Sequence, residues 1–239
     1  GSDEIASLVR AFCTMKASTR GYIEALTEKH RMEKQLDEVR LQMLKNQINP
    51  HFLFNTLNMI ASTAQLEEAQ TTERMISSLG NLFRYNLKTS EQIVPLEREL
   101  KVVQDYMYLQ QMRFGQRIRY DTDCKPDTME VLVPSFALQP LVENAIIHGI
   151  SPKGQGGRIH VRSWMEGRRL WISVADTGRG MAQERLEEIR LALARGEEKA
   201  TGVGVGNIYR RVHGMYRDGE VFIYSSEGRG TVVQMAFTP

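Results

Sequence analysis

Cysteine, long apolar runs and net charge are all scarce in this chain. Cys13 and Cys124 are its two cysteines, far apart and in no zinc-binding or redox spacing. That excludes a disulfide scaffold and fits a reducing compartment. No apolar run approaches the roughly 18 residues that span a bilayer, and no secretory signal is visible. The formal net charge of +2 over 239 residues gives no electrostatic footprint for nucleic acid. His30, His51, His148, His160 and His213 show no pairing at metal-ligand spacing, which argues against a zinc site. The phosphate loop Gly-x-x-x-x-Gly-Lys-Ser/Thr is missing, so a P-loop nucleotidase is excluded. Gly1-Ser2 reads as a cloning scar, so an upstream extension is expected.

Helix breakers are also rare in the first part. Between Asp3 and Gln70 stand one glycine, Gly21, and one proline, Pro50. Leu8, Phe12 and Met15, then Met32, Leu36, Val39 and Met43, recur at steps of three and four between charged residues. Such steps form a coiled-coil seam, which requires a partner helix and points to a dimer. Met75, Leu79, Leu82, Phe83 and Leu87 predict a helix over Gln70–Lys88, and two antiparallel helices from each of two chains would make a four-helix bundle. A third helix is expected over Leu96–Phe114, ended by Gly115.

After Gly115 the period changes. "RIRYDTD", "RIHVRSWME", "RLWISVAD", "EVFIYSS" and "GTVVQMAF" read as strands. Helices are expected at Ser135–His148, Ala182–Ala194 and Gly206–Met215. The chain is therefore α+β, a helical hairpin followed by an α/β sandwich with helices on one face of the sheet. A domain boundary is placed near Gly115.

Four pieces of the second half carry polar chemistry. In "QPLVENAIIHG", Asn144 offers an amide oxygen of the kind Mg²⁺ takes alongside waters and substrate phosphates. In "VADTGRGM", Asp176 ends a strand before Gly178 and Gly180, where its carboxylate could accept from an exocyclic amine such as that of adenine. In "TGVGVGNIYRR", Gly202, Gly204 and Gly206 permit a tight backbone, and a helix starting near Asn207 would present free N–H groups to phosphate. In "EGRGTVV", a glycine turn leads into the last strand and Thr231. Each alone is ordinary turn or cap chemistry; the order and spacing are what distinguish the set.

That ordered set resembles the N, G1 and G2 boxes of the ATP-binding fold shared by histidine kinases, gyrase-type ATPases, Hsp90-type chaperones and MutL proteins. "QINPHFLFNTLN" around His51, "VPLERELKVVQDYMYLQQMRFG" and "LQPLVENAIIHG" closely resemble the LytS/YesM-type sensor histidine kinases. The start, "SDEIASLVRAFCTM", resembles the end of a HAMP module. The resemblance implies a HAMP-like end at residues 1–17, a coiled-coil linker at 18–43, a dimerisation and phosphoacceptor region at 44–114, and an ATP-binding domain at 115–239. It further implies the cytoplasmic part of a bacterial membrane sensor. His51 would be the phosphoacceptor, and Asn55, one turn on, a possible aid to dephosphorylation of a response regulator. ATP would lie against Asn144, His148, Gly149, Asp176, Gly178, Gly180, Gly202, Gly204, Gly206, Asn207 and Thr231, with Mg²⁺ on Asn144 and a mobile lid over about 179–205. The partners implied are a second copy of the chain and a receiver-domain aspartate.

Histidine in general has a pKa of about 6.5 and is largely neutral, hence nucleophilic, near pH 7. Pro50 is expected to bend or loosen the helix beside the acceptor, and Phe52, Leu53 and Phe54 to pack in the bundle. Pro140 stands where hydrolysing relatives of this fold carry a water-activating glutamate, and Glu143 points elsewhere on its helix. Both tilt the expectation from hydrolysis to transfer. A hydrolysing ATPase of the same fold and a non-catalytic nucleotide-binding dimer remain the alternatives. Ile147 replaces a common basic residue and Thr177 a common asparagine. Trp164 and Trp171 are expected on the sheet rather than as a base-stacking platform.

Overall fold

The computed structural model describes residue 32 and residues 49–88, 91–195 and 203–239. The HAMP-like end, most of the coiled-coil linker and Gly202 lie outside the described residues. Phe54–Pro239 is one compact unit, set apart from the residues before it.

Pro50 does not bend a helix; it opens one. Helix α1 spans Pro50–Leu66. The Asn49 side chain caps it, its Oδ1 accepting from the His51 N–H at 3.1 Å and the Phe52 N–H at 3.2 Å. Proline suits a first helical position because its missing N–H would have no intrahelical partner there. Phe54 is buried and Leu53 half-buried, and Phe52 is 69% exposed in the single chain.

Helix α1 ends in a left-handed turn. Glu68 has φ +56°, the Ala69 N–H donates to the Ala64 carbonyl, and the Glu68 N–H to that of Gln65. This is a Schellman pattern with glutamate where glycine usually stands. Helix α2, Gln70–Lys88, follows directly, as the spacing predicts.

Strand β1 (Ile93–Pro95) leads into α3 (Leu96–Phe114), which ends at Gly115. Strand β2 covers Ile118–Cys124, and β3 (Leu132–Pro134) pairs antiparallel with β1. Helix α4 covers Gln139–Asn144 and continues as a π-helical turn, Ala145–Ile150. The helix expected from Ser135 therefore starts four residues late, because Phe136 sits at φ +57° and turns the chain there. Strands β4 (Gly157–Glu166) and β5 (Arg169–Asp176) form a hairpin. Helices α5 (Gln183–Arg195) and α6 (Val203–Met215) precede β6 (Glu220–Ser226) and β7 (Gly230–Phe237).

The five-stranded sheet has the order β2-β4-β5-β7-β6, with β2 parallel to β4 and the other neighbours antiparallel. Side chains alternate across it. Ile159, Val161, Leu170, Ile172, Val174, Val233, Met235 and Phe237 share one core with residues of α3, α4, α5 and α6. The opposite face carries Trp164 and Trp171, stacked at 5.9 Å, and ion pairs such as Arg162–Asp123. Helix α3 sends Leu96, Leu100, Val103 and Met107 into the sheet's core, so the packing runs through Gly115 without a break.

An L side chain at φ > 0 costs roughly 1–2 kcal/mol that glycine avoids. Glu68→Gly is therefore expected to raise unfolding stability by about 0.5–1 kcal/mol, after glycine's larger unfolded-state entropy is discounted. Urea melts of both proteins measure it; an unchanged or lowered midpoint would show that the turn is not strained.

Candidate nucleotide site

The cavity of interest, about 460 Å³, is walled by α4 and its π-helical turn, the end of β5, the start of β7, and the starts of α5 and α6. Asn144, His148, Gly149, Asp176, Gly180, Gly204 and Thr231 all line it, although the sequence scatters them over nearly ninety positions.

Asp176 occupies the last position of β5, paired with Ile159 on β4 and Thr231 on β7. One carboxylate oxygen accepts from the Gly178 N–H at 2.7 Å. Burial pushes the carboxyl above its usual range, against the lowering pull of hydrogen bonds from Gly178 and Thr231 and of the Lys153 charge. An acceptor kept partly dry at a cavity wall suits a neutral donor better than a competing water shell.

The helix facing Asp176 comes unusually close. A Cβ on Gly149 would stand 2.7 Å from Asp176 Oδ1, so only glycine lets the π-helical turn approach the carboxylate. Single-turn π segments widen a helix locally and recur at functional sites; this one carries His148 and Gly149.

Across the cavity, a Cβ on Gly204 would lie 2.2 Å from Asn144 Nδ2. The start of α6 therefore rests against the Asn144 amide. The helix was expected near Asn207 but begins at Val203, so Gly204 and Gly206 lie in its first turn rather than in a preceding loop. The first-turn N–H groups, which a helix leaves without intrahelical partners, therefore lie earlier in the chain than expected. Gly206 and Asn207 are not among the lining residues; Asn207 instead accepts from Arg210 Nη2 at 2.5 Å. Gly178 shapes the wall from behind, since a Cβ there would clash with the Gly149 backbone.

Glu143 is turned away from the cavity, accepting from Gln139 Nε2 at 2.8 Å. The walls that sequence reasoning missed are apolar: Leu141, Ala145, Val174, Met181, Ile189, Val205, Ile223 and Val233. In the sequence they look like any core residues. Arg179 and Arg185 also reach the cavity, and Arg185 is 2.8 Å from Glu188.

The donor set fits a Mg²⁺ ion held with one protein oxygen, phosphates and water, the usual habit of that ion. Asn144 presents such an oxygen, and the described residues contain no group of three or more acidic, histidine or cysteine side chains that would form an all-protein cage. His51 stands in the first turn of α1, exposed, with Asn55 one turn later and also exposed.

Residues 39–118 match the family described as Histidine kinase, and residues 134–239 the family described as Histidine kinase-, DNA gyrase B-, and HSP90-like ATPase. Sensor histidine kinase YpdA of Escherichia coli is 36% identical over 187 residues, which are 77% of this chain and 32% of the relative. Sensor histidine kinase YesM of Bacillus subtilis is 32% identical over 96% of this chain and 38% of its own length. Sensor protein LytS of Oceanobacillus iheyensis is 31% identical over 87% of this chain and 36% of its own. The chain thus spans well under half the length of each. With a histidine-kinase region joined to this ATPase domain, the chain belongs to the LytS/YesM-type sensor histidine kinases.

Proposed function

We propose that the chain catalyses ATP-dependent phosphorylation of its own His51 and passes the phosphoryl group to an aspartate on a response regulator. The carrying observation is the cavity in which Asp176, Asn144 and Gly204 converge, in a chain that also bears an exposed histidine at the start of α1. The reading places adenine against Asp176, whose free lone pairs accept from the exocyclic amine while Val174, Ile189, Ile223 and Val233 cover the ring. Phosphates then run toward Asn144, His148, Gly204 and the N-terminus of α6, where orphan N–H groups favour anions. Gly202 belongs to the same stretch by sequence.

Asn144 would hold Mg²⁺, which supplies charge neutralisation at the transferring phosphates. The neutral imidazole nitrogen of His51 attacks the γ-phosphorus in line; a nitrogen–phosphorus bond forms, the β–γ bridging oxygen bond breaks, and ADP leaves. The imidazole proton passes to solvent. Little covalent work falls to the protein, so positioning and electrostatics set the rate. Hydrolysis is disfavoured because Pro140 cannot activate water and Glu143 is engaged with Gln139. Asn55 lies on the acceptor's helix one turn away, a placement suited to orienting water for regulator dephosphorylation.

A second copy completes the helical region in this reading. Met59 is 64% exposed and Leu66 86%, with Ile60, Met75 and Leu79 also exposed along α1 and α2. Apolar residues so placed on a hairpin are covered by pairing it with another into a four-helix bundle. Among the described residues no helix is long and apolar enough to cross a membrane; attachment to a sensing region in the membrane would come from an upstream part of the protein.

The direct test is incubation with γ-labelled ATP and Mg²⁺. Label that survives base and is lost in acid is expected on the wild type and absent from His51→Gln and Asn144→Ala. Steady phosphate release from His51→Gln would make the chain a hydrolase instead. Nucleotide binding without label would leave a silent signalling module.

Gly204→Ala is expected to weaken binding of a non-hydrolysable ATP analogue at least tenfold (about 1.4 kcal/mol), because its methyl displaces the Asn144 amide. Calorimetric titration reads the loss, and wild-type affinity would disconnect Gly204 from the site.

Asp176 yields a pH test of opposite sign for stability and binding. Its folded pKa is raised, so ionisation costs fold stability as pH rises through that window. Asp176→Asn should thus melt no lower than wild type at pH 7, with its advantage shrinking as pH falls. Nucleotide affinity should do the reverse, falling in the wild type as the carboxyl takes up its proton. A mutant that melts lower at pH 7 would mean the carboxylate serves the fold rather than the ligand.

A further inference from the structure

Glu99 is fully buried in the first turn of α3, yet among the described residues no side-chain cation is bound to it. Its carboxylate is satisfied by three neutral donors from two other parts of the molecule. The Phe136 N–H donates at 2.8 Å and the Leu138 N–H at 2.9 Å, and the Tyr85 hydroxyl of α2 donates to the same Oε1 as Phe136. Leu138 is the residue before α4, which has no side-chain cap of its own at that end. Glu99 therefore anchors the entry to the helix that carries Asn144. A desolvated carboxylate without these donors would be costly, so the three bonds stand or fall together.

The same point gathers other elements. Phe136, held at φ +57°, packs its ring 4.8 Å from that of Tyr85. The Arg211 guanidinium of α6 lies 5.5 Å from the Phe136 ring centroid and donates to the Ser135 carbonyl. Burial and the Glu99 charge push the Tyr85 phenol up, so it remains a proton donor. Farther along, Ser78 and Asn81 of α2 donate to the two oxygens of Asp105 on α3, at 2.9 and 3.0 Å. One hydrogen-bonded centre thus ties the second hairpin helix to both α4 and α6, the two helices that meet at Asn144.

We infer that the Tyr85–Glu99 contact couples helix α2 of the hairpin to the Asn144 helix, so that α2 and the nucleotide cavity bias each other's order. Tyr85 and Glu99 are positioning residues: neither lines the cavity, and each acts through the Phe136–Leu138 backbone. The inference rests on the nucleotide-binding reading above. It deepens that reading by naming the path through which a change in the hairpin reaches the ATP site. Because such coupling is reciprocal, nucleotide must tighten α2 as much as α2 tightens the site.

Hydrogen exchange on the whole protein tests this with a non-hydrolysable ATP analogue and Mg²⁺ as the probe. In the wild type, saturation should slow amide exchange both in residues 139–150 and in residues 76–88, the latter by roughly fivefold or more, the low end of allosteric coupling. Tyr85→Phe keeps the ring and loses the hydroxyl. It should preserve slowing at 139–150 while the response at 76–88 falls below about twofold, an uncoupling that a merely structural role would not produce. An α2 that fails to respond in the wild type, or still responds in Tyr85→Phe, overturns the inference while leaving the nucleotide site intact. No slowing at 139–150 in the wild type overturns the nucleotide reading and this inference with it. Glu99→Gln turns an amide donor toward backbone donors; it should speed exchange at 139–150 without ligand and weaken analogue binding about tenfold or more. Wild-type behaviour of that variant would also overturn the role assigned to Glu99.

Discussion

The site depends on keeping one carboxylate, Asp176, partly dry at the end of a central strand. Burial raises the free energy of the ionised form, and few contacts compensate for it directly. The surrounding backbone is arranged around that cost. Gly149 lets a helix approach the carboxylate, Gly178 lets the chain turn past Gly149, and Gly230 passes close behind, where a Cβ would meet the Asp176 carbonyl oxygen at 1.9 Å. Replace any of these with a larger residue and the carboxylate, the helix or the end of β5 must retreat. The sheet makes the arrangement possible, because β4 and β7 pair with both sides of β5 up to its final residue.

The opposite wall follows from a second close contact, between Gly204 and the Asn144 amide. A helix beginning Val-Gly-Val-Gly has poor intrinsic propensity, at roughly 1 kcal/mol per glycine relative to alanine. What holds α6 is tertiary packing of Ile208 and Val212 in the shared core. Its glycines serve approach rather than helicity. The buried Glu99 centre ties α2 to the backbone entering α4, so the hairpin's second helix touches the ATPase domain directly as well as through the chain at Gly115. They share α3, one face of which packs against α2 while another enters the core of the sheet.

Much of this was legible in the sequence. Arg169–Asp176, Glu220–Ser226 and Gly230–Phe237 are read as strands and form strands with those limits, because alternation and flanking glycines mark them. Asn144, Gly149, Asp176, Gly204 and Thr231 do converge. What was hidden was local in a different way. Strands β1 and β3 have three residues each, too few for a period, and both contain proline. The early start of α6 was masked by glycines that favour a loop. Pro50 reads as a kink unless the Asn49 cap is recognised as the start of a helix. Glu99, within "LEREL", has the look of an exposed helix charge; only the fold reveals three donors converging on it.

The chemical role of Asp176 can be read most directly from base selectivity. ATP offers an exocyclic amine where GTP has a carbonyl, which would face the carboxylate with no donor. Titrating the wild type and Asp176→Asn with non-hydrolysable analogues of both nucleotides measures the difference. The account predicts that the wild type binds the adenine form at least tenfold more tightly, about 1.4 kcal/mol, and that the preference collapses in the variant. Equal affinity for the two bases in the wild type would contradict it.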